Sequence, residues 1–399
     1  EFVGREPSRY SLETTVVAIL HGADGLSEVF LDSTPFYAES GGQVGDTGTI
    51  VTESGRLTVV DTQNVVGGLF AHRGTLTGEI LPGQSAVATI DPDRREATRR
   101  NHTATHLLHA GLRTVLGDHV RQQGSWVGPD RLRFDFSHGS GLRDEESSAI
   151  LQMANADILD NDGVETIQTS KSEAETMGAV AFFGDKYGER VRVVRAGRHS
   201  LEFCGGTHVD RLGDIGQIQI VSETSIGANT RRLEAVSGAG AFRRSLEMEQ
   251  VLATVAGLLK TSTEEVVPGL ERLMDRQRDL EKDLSALRQS QRATVTEQIH
   301  SSFTGDRVVA RVDGYPGDAL RTMATDLQRR GRRLVVLAGT DDGKVSIAVA
   351  TDGSVDAVAT VKSLASHVGG GGGGSAQLAL AGGRDAAGIP ALLAAAELL

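Results

Sequence analysis

Residues 91–116 read DPDRREATRRNHTATHLLHAGLRTVL, and the pattern within them decides what the rest of the chain is built around. Asp91 is an N-cap candidate, and Pro92 takes the first helical position, where a missing N–H costs nothing. From 99 to 116 the apolar residues recur at helical spacing, so the stretch predicts one long helix. His102 and His106 are four residues apart and share a helix face. At that spacing their Cβ atoms lie about 5–6 Å apart, close enough for both imidazoles to reach one ion. His109 lies one turn further along that face. It could compete for the ion or orient a ligand from behind, although an ordinary buried histidine is the simpler expectation.

A partner for this pair stands about a hundred residues away. Cys204 is the only cysteine, and it sits in EFCGGTHV (202–209) four residues before His208. Gly205 and Gly206 allow the backbone to turn sharply there and bring the thiol and imidazole together. Either pair alone is a weak signal. Together His102, His106, Cys204 and His208 supply the four N/S donors that tetrahedral zinc prefers. The pattern is not that of a zinc peptidase, whose HExxH places a general base beside the first histidine; here Thr103 follows His102. Four protein donors saturate zinc and favour a structural site. A part in chemistry requires a loose ligand, an expanded coordination sphere, or a role in placing the substrate.

Before the helix, the runs 16–20, 28–32, 49–51, 57–62 and 86–90 have strand composition at the spacing of a small barrel, with a Gly-rich turn at 37–48. After it come strands near 125–127 and 132–136, a second helix at 144–160, and strand-like runs at 191–194, 217–223 and 230–235. From Arg243 to Ile299 the pattern is helical, with Leu270, Leu273, Leu280, Leu284 and Leu287 on one stripe and Pro268-Gly269 as the expected break of a hairpin or short coiled coil. Residues 306–399 alternate strand and helix around Gly369–Gly374, six consecutive glycines. That run reads either as a linker or as a backbone loop approaching a ligand. The expected fold class is multidomain α+β. It comprises a barrel-like part (1–90), an α/β zinc-binding unit (91–240), a helical hairpin (241–304) and a C-terminal α/β domain (305–399).

Composition narrows the function. At 399 residues the chain is long enough for two or three domains. Aromatics are 4%, so the cores must rest on aliphatic residues. Of the net charge of −12, residues 1–240 carry −11 and residues 241–399 carry −1. A nucleic acid would therefore meet local basic patches, in the C-terminal part above all. The longest apolar run, 390–399, is far short of the roughly 20 residues that span a bilayer, and no signal segment opens the chain. A lone thiol fits a reducing cytoplasm. The chain starts at Glu1 rather than Met, as a piece of a longer protein would.

FYAESGGQVGDTG (36–48), RNHTATHLLHAGLR (100–113), VRQQGSWV (120–127), FCGGTHV (203–209) and RRLEAVSG (231–238), in that order, resemble the editing domain of the alanyl-tRNA synthetases and its free-standing trans-editing relatives. The resemblance covers most of residues 30–240. It implies hydrolysis of the ester in Ser-tRNA(Ala) and Gly-tRNA(Ala), with His102, His106, Cys204 and His208 as ligands of Zn2+. It further implies Gln122 facing the aminoacyl group and the Gly41-Gly42-Gln43 turn walling the pocket. Residues 241–399 resemble the family's C-terminal tRNA-binding domain, with the signature HVGGGGGGSAQLALAGG (367–383). Here no Lys or Arg interrupts the glycines, and neither Asp nor Met precedes Ala-Gln. Backbone contacts to RNA stay open, and Arg329, Arg330, Arg332 and Arg333 are the cationic candidates.

Nothing in the chain resembles an ATP-binding class II site, so it is expected to hydrolyse but not to charge tRNA. The family's aminoacylation domain would precede it in the full-length protein. A homodimer could form through the helical segment, and no membrane partner is expected. Two other readings compete: a free-standing trans-editing deacylase, and a non-catalytic tRNA-binding module whose zinc only stabilises the fold.

Overall fold

The computed structural model describes residues 1–6, 9–66, 68–181 and 188–399. The chain divides into two compact units, Glu1–Thr254 and Val255–Leu399. The first opens with β1 (Ser11–His21), β2 (Ser27–Leu31), β3 (Gly48–Val51), β4 (Gly55–Val66), β5 (Leu69–Gly78) and β6 (Ser85–Ile90). They close into a barrel in the order β1-β2-β5-β4-β3-β6, with β6 pairing back onto β1. Alternate residues point inward, and Val16, Val29, Ile50, Leu57, Val59 and Ile90 fill the interior. The strand pattern in the sequence misses β5: LFAHRGTLTG carries Gly, Thr, His and Arg where alternation would show. His72 of β5 is fully buried; its Nδ1–H donates to Val29 O at 2.7 Å, and its Nε2 accepts from the Thr34 hydroxyl at 2.7 Å.

Helix α1 (Pro92–Leu116) follows, and the Asp91 side chain accepts from Arg94 N as its N-cap. Then come β7 (Gln122–Val127), β8 (Leu132–Ser137), α2 (Asp144–Asp160), β9 (Val164–Ser170) and α3 (Lys171–Thr176). β10 (Arg190–Ala196), β11 (Ser200–Phe203), β12 (Ile218–Gly227), β13 (Thr230–Ser237) and α4 (Gly238–Leu259) complete the series. The strands form a four-stranded sheet, β12-β13-β8-β7, and a three-stranded sheet, β11-β10-β9. α1 packs on α2 and touches β8, β13 and β11, so its residues from Asn101 to Leu112 are buried on every side. Leu107, Leu108 and Leu112 meet Phe134, Phe136 and Ile150 in the core. Each such side chain contributes about 1.5–3 kcal/mol, which holds the helix's buried polar face in place. A buried ion pair ties α1 to the barrel: Arg95 Nε lies 3.0 Å from Asp46 Oδ2, and the same carboxylate accepts from Tyr37 N at 2.6 Å. The 37–46 turn is thereby fixed against the helix.

In the second unit, α5 (Val266–Ser302) leads to β14 (Arg307–Arg311), α6 (Gly317–Arg329), β15 (Leu334–Asp341) and β16 (Lys344–Thr351). α7 (Ala357–Ala365), β17 (Gly371–Gly374), β18 (Leu378–Gly383) and α8 (Ile389–Glu397) end the chain. The sheet order is β14-β15-β16-β18-β17, with only the β14–β15 pair parallel. Leu320, Met323 and Leu327 of α6 cover one face with Val335 and Leu337. Val361 and Leu364 of α7 and Leu392 of α8 cover the other with Val336, Ile347 and Val349. Strands buried on both faces read as continuous apolar runs, as Leu334–Ala338 does.

Two expectations change here. The break between the long helices falls at Lys260–Ser262, with Lys260 at φ +53°, and not at Pro268-Gly269. Pro268 is the third residue of α5, where an amide would have no intrahelical partner, so the helix starts through it. The Leu stripe is uncovered, from Leu270 at 47% to Leu280 at 59% exposed. The glycine run is not a linker: Gly371–Gly374 is an edge strand paired antiparallel with Ala379–Gly382. Among the described residues no helix is long and apolar enough to cross a membrane.

Candidate metal centre and cavity

α1 presents His102 and His106 on one face, and the loop after β11 brings Cys204 and His208 to the same place. The four ligand atoms lie within 4.8 Å of one another. Cys204 Sγ is 3.4 Å from His102 Nε2 and 3.2 Å from His208 Nε2. The loop approaches so closely that a Cβ on Gly206 would stand 2.1 Å from His102 Cε1. On the far side, Gly42 has φ +82°, and a Cβ there would meet Ser125 O at 2.5 Å. Only glycine fits this turn against β7.

Each imidazole is oriented from behind. His102 Nδ1–H donates to Gln43 Oε1 at 2.8 Å, and that oxygen also accepts from Thr207 N at 2.9 Å. His208 Nδ1 is 3.3 Å from the Thr103 hydroxyl, whose own proton goes to Arg99 O at 2.9 Å, so the ring donates. His106 Nδ1–H donates to Glu202 Oε2 at 2.5 Å. All three rings therefore turn Nε2 toward the cluster. His106 Nε2 is buried among the other three donor atoms. The electrostatics point the same way. Burial disfavours the Cys204 thiolate, but His102 and His208 outweigh it and hold the thiol well below its usual range. Burial also works against ionised Glu202, yet His106 and His109 keep it below the normal carboxylate value. Burial opposes a charged His106, but Glu202 and Cys204 raise its pKa to about 10, so positive charge is drawn to the cluster, and the N₃S donor set suits zinc.

Beside the cluster lies a cavity of ≈ 620 Å³, lined by Gly41, Gly42, His102, His106, Gln122 and Cys204 among others. Gln122 opens β7 and faces into it with Gln123 and Ser125. Gln43 is placed differently from the sequence expectation. It is 0% exposed and does not line the cavity, because its amide is committed to His102 and Thr207. His109 is not in the ligand set; its Nδ1 shares the Glu202 carboxylate at 3.0 Å, with its ring on Phe134. Sequence reasoning missed Glu202, although strand alternation puts residues 202 and 204 on one side of the chain. It also missed Arg192, whose guanidinium reaches two carbonyls of the Cys204 loop; no local pattern marks it.

In the second unit, the four arginines expected to face RNA divide. Arg330 pairs with Glu297 and Asp326, and Arg332 donates to the carbonyls of His300 and Phe303. Arg333 bonds Ser354. Arg329 instead lines a groove between α5 and α6 with Arg292 and Arg321, ≈ 430 Å³ in volume.

Three family models match the chain: tRNA synthetases class II (A) over residues 11–94, the threonyl and alanyl tRNA synthetase second additional domain over 191–234, and the DHHA1 domain over 305–399. The first falls on the barrel, and the second contains Cys204 and His208. The alanine–tRNA ligase of Stenotrophomonas maltophilia (strain K279a) is 44% identical over 382 residues, 92% of this chain and 43% of that protein. That of Pseudoalteromonas translucida (strain TAC 125) is 42% identical over 400 residues, covering 96% of this chain and 46% of the relative. The chain thus spans less than half the length of these relatives. The crystal structure of the C-Ala domain from Aquifex aeolicus alanyl-tRNA synthetase is 23% identical, covering 22% of this chain and 83% of that one. Its TM-score is 0.21. Sequence identity along nearly the whole chain, with the three domain matches in order, places it in the alanyl-tRNA synthetase family.

Proposed function

We propose that this chain is the editing part of an alanyl-tRNA synthetase, hydrolysing Ser-tRNA(Ala) and Gly-tRNA(Ala) at a zinc-dependent site and holding tRNA through its C-terminal residues. The observation that carries the reading is the four-donor cluster opening directly onto a cavity. Its ≈ 620 Å³ falls in the size range of small-ligand pockets, enough for an aminoacylated terminal ribose. Within this reading, residues 1–90 and 91–240 make the hydrolytic part, 241–304 the helical segment and 305–399 the tRNA-binding part.

His102, His106, Cys204 and His208 would hold the ion. When bound, zinc would supply a fixed positive charge at the cavity wall. An ester needs little more than a placed water and donors for the oxygen that gains charge. Gln122 offers both a carbonyl and an amide N–H₂, suited to a seryl hydroxyl or an amino group. The backbone of Gly41 and Gly42 gives that group a wall without side chains. Selectivity follows from unpaired polarity. A pocket built to hydrogen-bond a hydroxyl leaves polar groups unsatisfied when alanine enters, and so spares the correct product. Glycine is not covered by this argument.

The Arg292–Arg321–Arg329 groove is the cationic surface for tRNA phosphates in the second unit. The test is deacylation of Ser-tRNA(Ala) by the chain and by Cys204→Ala, with metal analysis of both. The chain is expected to hydrolyse it, and Cys204→Ala to lose metal and activity while staying folded. No hydrolysis by the unmodified chain refutes the reading, and full activity of metal-free Cys204→Ala removes zinc from it. With ATP and alanine the chain should form no Ala-tRNA.

A further inference from the structure

Arg192 is half-buried beside the metal cluster, and among the described residues no carboxylate pairs with it. A guanidinium withdrawn from water without a counter-ion is costly unless its donors are used. Nη1 donates to Cys204 O at 2.8 Å and to Gly206 O at 2.9 Å, and Nη2 donates to the Thr166 hydroxyl at 3.1 Å. The backbone of Arg192 clamps the same loop, its carbonyl accepting from Cys204 N at 3.0 Å. Arg5 Nη2 takes the carbonyl between, Gly205 O, at 3.1 Å. Three successive carbonyls are thus held by guanidinium groups.

This fixes where the amides point. Among the described residues no peptide is cis, so each N–H lies opposite its own C=O. The Gly206–Thr207 peptide shows the result: its oxygen is on Arg192, and its N–H reaches Gln43 Oε1 at 2.9 Å, beside His102. The Cys204–Gly205 peptide has its oxygen on the same Nη1, so the Gly205 N–H is directed to the same side, away from Arg192. Gly205 lines the cavity, and a Cβ on it would meet nothing within 4 Å. Its N–H has no hydrogen-bond partner among the described residues.

We propose that the Gly205 N–H receives the ester carbonyl oxygen as it gains charge, and that Arg192 is the positioning residue that aims it. The inference rests on the hydrolytic reading above. The oxygen of a water adds to the ester carbon, and the carbonyl π pair moves onto its oxygen, held by Gly205 N–H. When that pair reforms the carbonyl, the bond to the ribose oxygen breaks. The departing oxygen takes the proton the water gave up, leaving a free amino acid and a ribose hydroxyl.

The test removes the Gly205 N–H and, separately, the guanidinium that aims it. Glycolic acid incorporated at position 205 replaces that amide by an ester, and Arg192→Met and Arg192→Lys change the guanidinium. kcat and KM for Ser-tRNA(Ala) and zinc per chain are measured for each. The ester variant should lose about 100- to 1,000-fold in kcat, as for other single oxyanion donors, with KM and zinc content little changed. Arg192→Met should fall similarly with zinc retained. Arg192→Lys should recover most of the loss, because one ammonium can reach both carbonyls as Nη1 does. An unchanged kcat in the ester variant overturns the assignment, as does a kcat loss that merely follows zinc loss in either variant. If the unmodified chain fails to hydrolyse, the hydrolytic reading falls and takes this with it. If it hydrolyses and the ester variant does so equally, this inference alone falls.

Discussion

The approach of the Cys204 loop to α1 can be tested with a single methyl group. In Gly206→Ala the new carbon would lie 2.1 Å from His102 Cε1, 2.5 Å from its Nδ1 and 2.8 Å from Gln43 Oε1. Ordinary contact needs about 3.4 Å, so loop and ring must separate by about 1.3 Å. His102 has no free retreat, since its Nδ1 is tied to Gln43 at 2.8 Å and the methyl crowds that oxygen too. Metal sites tolerate about 0.2 Å in ligand distance, several times less than this displacement. Losing the outer hydrogen bond alone costs about 10- to 100-fold in affinity, so Gly206→Ala should weaken zinc by at least about 100-fold, or about 2.7 kcal/mol. Gly205→Ala is the control: the same atom one residue earlier meets nothing within 4 Å, and its affinity should stay within about threefold. Competition against a chromophoric chelator measures both, with Trp126 fluorescence confirming the fold. Wild-type affinity in Gly206→Ala, or equal losses in both variants, would refute the geometry.

Three further outcomes are expected. Glu202→Gln replaces a carboxylate that accepts from both His106 and His109 by a group with one acceptor oxygen, and zinc affinity should fall about 10- to 100-fold in the same chelator assay. Burial, only partly offset by the bond to Val29 O, lowers the His72 pKa to about 4. Below about pH 6.5 the unfolded chain therefore binds a proton that the folded barrel refuses, so stability falls with pH across the window from 6.5 to 4. Between pH 7 and 5 the loss is about 2 kcal/mol, and urea denaturation of chelator-treated protein should show a pH slope smaller by that amount in His72→Gln. Finally, replacing Arg292, Arg321 and Arg329 together by Ala should weaken tRNA binding uniformly across sequences. It should also reduce the slope of log K against log salt by up to about 3, read by filter binding at several salt concentrations.

How much of this was legible in the sequence varies with the range over which each signal acts. α1 could be read almost to the residue, because Asp91, Pro92 and the apolar period are local signals. The two donor pairs were visible as pairs, since each joins residues four apart; that α1 and the loop after β11 meet is a tertiary fact. β5 was invisible because its buried residues are Ala71, His72 and Gly74 rather than a run of branched apolar side chains. Pro268 misled because a proline near a helix start and a proline at a break look alike from sequence. The family resemblance implies Gln43 as part of the pocket wall, but the direction of a side chain beside a turn depends on what it can bond. Here that is His102 and Thr207, 59 and 164 residues away. The clustered arginines look alike in sequence for the same reason, yet Arg330 and Arg332 are committed to α5 and the turn after it while Arg329 lines the groove.

The six glycines at 369–374 are not equivalent. Side chains at 370, 372 and 374 would run into Gly382 O, Leu380 O and Leu378 O at 1.9, 2.4 and 2.3 Å, whereas at 371 and 373 they would meet open space. Even-numbered positions are therefore closed to any substitution, while odd-numbered ones within the strand can drift. A lysine arriving at 371 or 373 would add positive charge to the rim of the sheet without disturbing the ladder, so the charge of this edge can change independently of folding.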